Sequence, residues 1–227
     1  MREIQNNLVA IQQRIDKACD SCGRPRGSVK LLAVSKTKPI SMIKAAYEAG
    51  QTDFGENYLQ DALPKIHDLQ GAAWHFIGHI QSNKARDIAE NFDWVHTVST
   101  MKVLTRLDRL RPKTLPNLKI MLQVNISEES SKSGTDESEL FPLVEKALEL
   151  KKLDLRGLMA IPEATDNEQQ QRLNFAKLAS LQQRIQSDYQ LDDFTELSMG
   201  MSNDLESAIA EGATWVRVGT AIFGARQ

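Results

Sequence analysis

The chain has 227 residues, with 28 Lys and Arg against 30 Asp and Glu and a formal net charge of −2. That near balance argues against a general attraction to nucleic acid or to anionic membranes, and no apolar run approaches the ~20 residues of a membrane span. A domain of this size hides ~70% of its unfolded surface, so neither a disulfide nor a metal is needed to hold a core.

Read in order, the chain opens on an amphipathic helix over residues 3–19, with Ile4, Leu8, Ile11 and Ile15 on one face. Nothing in Met1-Arg2-Glu3-Ile4-Gln5 reads as a signal peptide, so a cytoplasmic location is expected. Cys19 and Cys22 close the helix as Cys-Asp-Ser-Cys. They lack a second ligand pair and the strand context of a redox motif, and so read as ordinary thiols. Leu31 to Lys36 is the first strand, and a helix over 40–49 follows, with Gly50 as its C-cap. Strand two is 52–55, then a helix over 57–69 in which Pro64 predicts a kink or a break. Strand three is 74–77, followed by a polar helix over 82–91. Strand four is 94–98 with a helix over 100–110, and strand five is 118–125. A polar loop, Ser127 to Thr135, precedes a helix over 137–151. Strand six, 153–161, leads to a helix over 168–187, and strand seven, 194–198, to a helix over 203–211 with Asn203 and Glu206 at capping-box spacing. Strand eight is 214–218.

Eight strands alternating with helices predict a parallel sheet with helical crossovers. Eight units point to a lean (β/α)8 TIM barrel filling 1–227 as a single domain, since such barrels run to ~250 residues. The extra N-terminal helix is expected to cover the barrel where a last helix would otherwise lie. An open doubly wound sheet is the alternative fold.

In a barrel the working face lies at the C-terminal ends of the strands. There Leu32, Val34 and Lys36 share one face of strand one. A lysine in that place either snorkels to solvent or sits partly desolvated, where its amine forms an imine with an aldehyde. The loops after strands seven and eight hold Ser198, Gly200, Ser202, Gly219 and Thr220, small and hydroxylic residues where barrels commonly bind phosphate. Glycine and serine also simply cap helices. Arg217 lies between Val216 and Val218 and points with Trp215, into the barrel, where a guanidinium needs an acceptor. That acceptor is either a carboxylate such as Glu196 or a ligand atom. An imine-forming lysine, a phosphate cradle and an inward arginine together suggest pyridoxal 5′-phosphate, with Arg217 at the pyridine nitrogen. An always-charged donor there keeps that nitrogen unprotonated and makes the ring a weaker electron sink than a carboxylate partner would.

The motifs agree. Leu32-Ala33-Val34-Ser35-Lys36-Thr37-Lys38-Pro39, Phe54-Gly55-Glu56-Asn57-Tyr58, Trp74-His75-Phe76-Ile77-Gly78-His79-Ile80-Gln81-Ser82-Asn83-Lys84, Ser131-Lys132-Ser133-Gly134, Gly157-Leu158-Met159, Leu197-Ser198-Met199-Gly200-Met201-Ser202 and Val216-Arg217-Val218-Gly219-Thr220-Ala221-Ile222-Phe223-Gly224 run along nearly the whole chain. In them the chain resembles the pyridoxal phosphate homeostasis proteins, single-domain relatives of the alanine racemase N-terminal barrel. The resemblance implies a covalent aldimine on Lys36, phosphate contacts from Ser198, Gly219 and Thr220, Arg217 at the ring nitrogen, and Asn57 and His79 lining the pocket. It further implies a monomer that buffers the cofactor and supplies it to apoenzymes, affecting amino-acid and keto-acid balance, with no catalytic turnover of its own.

Two enzyme classes compete with that reading. An amino-acid racemase of this fold takes its second base, a tyrosine, from a C-terminal β domain, which the 227 residues do not provide. A Schiff-base aldolase would use a barrel lysine without the cofactor and would show no cofactor absorbance. The Ser127 to Thr135 loop adds a second amine, Lys132, read either as a solvated side chain or as an aid to cofactor exchange by transient attack on the imine.

Overall fold

The apolar runs pair side by side in chain order. In a computed structural model, described over residues 2–127 and 133–225, eight parallel strands form a closed barrel. They are β1 (Lys30–Val34), β2 (Asp53–Glu56), β3 (Ala73–Phe76), β4 (Trp94–Val98), β5 (Leu118–Gln123), β6 (Leu153–Met159), β7 (Glu196–Ser198) and β8 (Trp215–Val218). The helices are α1 (Arg2–Ser21), α2 (Ile40–Glu48), α3 (Leu59–Asp68), α4 (Ala85–Asn91), α5 (Met101–Leu110), α6 (Glu137–Glu149), α7 (Glu168–Tyr189), α8 (Leu205–Ala210) and α9 (Thr220–Phe223). Closure is made by β1 on β8, where Lys30 to Ala33 face Trp215 to Val218, and it rules out the open sheet. Among the described residues no helix is long and apolar enough to cross a membrane.

Strand parity divides the apolar side chains into two cores. Outward residues such as Ala33, Phe54, Trp74, Phe76, Val216 and Val218 join the helices in one large cluster. Inward residues Leu32, Ile77, Trp94, Met121, Met159 and Trp215 fill the barrel, with Val34 packed on them. As expected, α1 covers the last unit: it packs on α8 and α9, Asn7 donates to the Ile222 carbonyl at 3.0 Å, and Arg14 binds Glu206 and the Ser202 carbonyl. The partner helix α9 has only four residues, which leaves room for it.

Several local expectations change. Pro64 neither breaks nor ends α3, because it lies on the exposed side, where water can serve the carbonyl it leaves unpaired. The polar segment 82–91 divides into a 3-10 turn, Ser82–Lys84, followed by α4. Strand seven starts at Glu196 rather than 194. The Asn203 and Glu206 capping box does not form. Asp204 is the N-cap of α8, its carboxylate accepts from the Met201 N–H at 2.6 Å, and Glu206 is drawn off to Arg14. Cys19 is buried and Cys22 exposed, both as free thiols. Lys132 lies outside the described residues.

A buried ion pair props the segment after β1. Lys65 Nζ reaches Glu56 Oε1 at 2.8 Å, Asp61 Oδ2 at 2.7 Å and the Ser35 carbonyl at 3.0 Å, while Ser35 Oγ donates to the same Glu56 oxygen at 2.6 Å. Glu56 is fully buried, and its burial pushes the carboxyl up even though Lys65 and Ser35 pull it down. Lys65→Met would strand that carboxylate, and a cost of about 3–5 kcal/mol is expected. The double change Lys65→Met with Glu56→Gln should recover part of it in urea unfolding; a single variant as stable as wild type would show the pair to be idle.

Two imidazoles, His75 and His96, are fully buried inside the barrel, and burial pushes both below their ordinary value, His96 well below. Once pH falls below about 6.5 the unfolded chain binds protons that the folded rings refuse, so stability must fall with pH there. Each ring contributes a slope of up to about 1.4 kcal/mol per pH unit. Glu56, raised rather than lowered, contributes with the opposite sign. In His96→Phe the decline between pH 6.5 and 5 should be shallower by one ring's share, measured by denaturant unfolding at each pH. Parallel curves for variant and wild type would contradict this assignment.

Candidate functional site

The expected site residues come from the C-terminal ends of β7, β8, β1, β2 and β3, which are neighbours around the closed sheet. β1 delivers Lys36, half-buried two residues beyond Val34. The backbone turns sharply at the next residue. Thr37 has φ 63°, a left-handed conformation that a β-branched side chain adopts only at a cost. The Thr37 N–H is held there by Asp61 Oδ2 at 2.8 Å. Lys38 Nζ then donates to the Ala225 carbonyl at 2.7 Å, tying this loop to the segment after α9.

β2 and β3 supply Asn57 and His79. A Cβ at Gly78 would overlap the Asn57 carbonyl oxygen, so glycine is what lets these two loops meet. Asn57 Oδ1 is buried without a hydrogen-bond partner, whereas His79 is exposed. Both line a cleft of about 320 Å³ with Tyr58, Phe76, Gln81 and Lys84. The larger cleft, about 880 Å³, lies elsewhere, between α6 and α7, and includes none of the expected residues.

β8 supplies Gly219 and Thr220. Gly219 lies against β1, where a Cβ would stand 3.1 Å from the Val34 carbonyl oxygen. The Thr220 side chain is exposed at the first position of α9, where the leading N–H groups of a helix have no intrahelical acceptor.

Arg217 is 5% exposed and points inward as parity predicts. The carboxylate alternative fails: Glu196 takes Lys30 at 3.0 Å and Thr214 at 2.6 Å. Arg217 instead donates from Nη1 to Ser198 Oγ at 2.8 Å and from Nη2 to the Ala160 carbonyl at 2.9 Å. These bonds use two of its five N–H donors. Burial pushes the guanidinium down to about 10, so it stays protonated at neutral pH.

Ser198 is fully buried, and its hydroxyl faces His96 Nδ1 at 2.9 Å as well as Arg217. The side chain therefore works inside the barrel, beneath the loop in which sequence reading placed it. His96 Nε2 in turn meets His75 Nδ1 at 2.9 Å, and His75 Nε2 meets Asp53 Oδ1 at 3.1 Å. Neither histidine nor Asp53 was singled out from the sequence. The available signal was parity: His75 alternates with outward Trp74 and Phe76, and His96 shares a face with inward Trp94. Among the described residues no cluster of His, Cys, Asp or Glu could hold a metal ion.

This arrangement suits an anionic aromatic aldehyde. It offers an amine at Lys36, backbone and hydroxyl donors at Gly219 and Thr220, spare guanidinium donors at Arg217 and an unpartnered oxygen on Asn57. The alanine racemase N-terminal domain model matches residues 6–227. The pyridoxal phosphate homeostasis protein of Pseudomonas aeruginosa is 51% identical, covering 100% of this chain and 97% of that protein. That of Vibrio cholerae is 49% identical, covering 100% and 98%. The solved structure of PipY from Synechococcus elongatus with PLP bound superposes with a TM-score of 0.81 at 39% identity, over 92% of this chain and all of that one. Alanine racemase of Clostridium difficile shares the fold alone, at a TM-score of 0.78 and 12% identity over 99% of this chain and 57% of that one. With such matches along its whole length, the chain belongs to the pyridoxal phosphate homeostasis protein family, within the alanine racemase N-terminal domain.

Proposed function

We propose that this protein binds pyridoxal 5′-phosphate through an imine on Lys36, buffers the free aldehyde and supplies the cofactor to apoenzymes, with no turnover of a substrate of its own. The observation that carries the reading is Arg217. A charged guanidinium, buried among a hydroxyl and a carbonyl, keeps donors in reserve beside the strand that bears Lys36. The bound cofactor supplies an aldehyde carbon and an electron-accepting ring.

The chain's own groups then divide the work. Lys36 Nζ anchors the aldehyde. Gly219 and Thr220 hold the phosphate through backbone N–H groups and a hydroxyl. Arg217 faces the pyridine nitrogen and, as a fixed donor, leaves it unprotonated. A ring so held withdraws electrons weakly, which suits storage better than turnover. Asn57 and His79 border the pocket, and Ser198 acts on the ring through Arg217. The protein is expected to act as a monomer in the cytoplasm.

Purified protein should absorb as an imine, and borohydride should fix the cofactor on the peptide bearing Lys36. Lys36→Ala should abolish that band; the same band in the variant would place the anchor on another lysine. The aldolase reading predicts no cofactor band in either protein.

Arg217→Glu should put a carboxylate at the pyridine nitrogen and protonate it. The expected result is a shifted absorption band with the cofactor still attached and a measurable gain in alanine racemisation. An unchanged spectrum would remove Arg217 from the ring.

A further inference from the structure

We propose that Asp53, His75, His96 and Ser198 form a one-way hydrogen-bond relay through the barrel that positions the Arg217 guanidinium, so that a carboxylate at the N-terminal end of β2 governs the ring-nitrogen end of the cofactor site. The relay deepens the proposed cofactor reading and rests on it for its purpose, though not for its direction.

The direction follows from counting protons. Burial pushes the Asp53 carboxyl up, but the hydrogen bonds from His75 and Thr52 outweigh it and hold it below the usual carboxylate range. It is therefore ionised and can only accept. His75 must then carry its proton on Nε2, which donates to Asp53 Oδ1 at 3.1 Å. Both rings are neutral in the dry interior, so His75 Nδ1 has only a lone pair. It accepts from His96 Nε2 at 2.9 Å. His96 Nδ1 is left as an acceptor in its turn, and its partner is Ser198 Oγ at 2.9 Å. The one proton of Ser198 thus goes to His96, and its oxygen accepts from Arg217 Nη1 at 2.8 Å. Every group has one role, and the line runs from cation to anion.

The surroundings isolate it. His75 stacks on Trp94 with ring centroids 5.5 Å apart and lies 4.9 Å from Trp215, which also flanks His96 at 6.2 Å. Two ammonium groups cap this sleeve: Lys30 over Trp215 at 4.8 Å and Lys119 over Trp94 at 5.1 Å. The remaining charged groups nearby are Asp93, held by the Trp74 N–H, Glu196, held by Lys30, and Asp204, which faces Arg217. None of them enters the line. Because Ser198 spends its proton on His96, its hydroxyl has none left for a phosphate and serves to fix Arg217.

The test reads the ring nitrogens directly. In wild-type protein carrying pyridoxal phosphate, ¹⁵N NMR near pH 7 should show both rings as neutral Nε2–H tautomers. Asp53→Leu removes the acceptor that holds His75 as the Nε2–H tautomer, so both rings should shift toward Nδ1–H, even though His96 lies one ring away from the change. The cofactor band should shift, and release to a trapping amine should quicken about tenfold, the scale of one buried hydrogen bond. Tautomers that ignore residue 53 would overturn the relay. So would an imidazolium or an Nδ1–H tautomer in the wild type, which decides the matter if the variant does not fold. Flipped tautomers with an unchanged band and release rate would overturn the positioning of Arg217. If the rings respond as expected but wild type retains no cofactor on Lys36, the cofactor reading fails and the direction of the relay survives.

Discussion

The site depends on one pairing, the closure of β1 on β8. Lys30 to Ala33 and Trp215 to Val218 lie at opposite ends of the chain yet hydrogen-bond along their length. The pairing sets Leu32 beside Arg217 and brings Gly219 against the Val34 carbonyl. An amine two residues past β1 and a guanidinium inside β8 are thereby referred to one rigid frame. Contacts so remote in sequence are formed at a large entropic cost, and the barrel offsets it by leaving no sheet edge unpaired. The N-terminal helix completes the arrangement, since α1 occupies the place that the four-residue α9 cannot fill.

Within that frame the protein buries charge in two ways. Outside the strand layer Glu56 and Lys65 neutralise each other directly, 2.8 Å apart, and Ser35 and Asp61 share the load. Direct pairing gives a rigid joint, and the joint stands under the backbone that carries Lys36. Inside the barrel Arg217 and Asp53 are instead kept apart by a hydroxyl and two imidazoles. A direct ion pair would tie the guanidinium to its counter-ion and use up its donors. The longer connection leaves Arg217 charged, aligned and able to donate upward.

Much of this was legible in the sequence, and the limits are physical. Alternation of strand and helix gave the barrel, and period-two parity turned Arg217 inward, as its burial and its bond to Ser198 bear out; the same parity assigns Lys36 to the inward face. What parity cannot supply is contact across the barrel. His75 and His96 lie on the paired strands β3 and β4, but Ser198 on β7 is 102 residues beyond His96, so their meeting depends on strands that are not neighbours in the sequence. Ser198 shows the difference well: its position at a strand end was readable, but its partners were not. At α8 a local pattern misled, because the Asn203 and Glu206 spacing suits a capping box while Arg14, nearly two hundred residues away, takes the glutamate. Local signals fail where a distant charge competes for the same side chain.

The chemistry of a cofactor carrier is constrained from both ends of this line. Turnover on a pyridine ring is favoured by protonating its nitrogen, and that takes a carboxylate within hydrogen-bond reach. Here the ionised carboxylate of the relay stands at the far end, below two rings that burial keeps neutral. Protonating His96 would place a second cation close to Arg217 in a medium of low dielectric, so the proton cannot advance along the line at neutral pH. Arg217 remains protonated too, because even the value of about 10 to which burial lowers it stands well above neutrality. Under the proposed reading, the ring nitrogen would therefore be offered a donor that does not give up its proton. Such a site would hold its ligand by orientation and charge, and would leave the electron-withdrawing power of the ring largely unused.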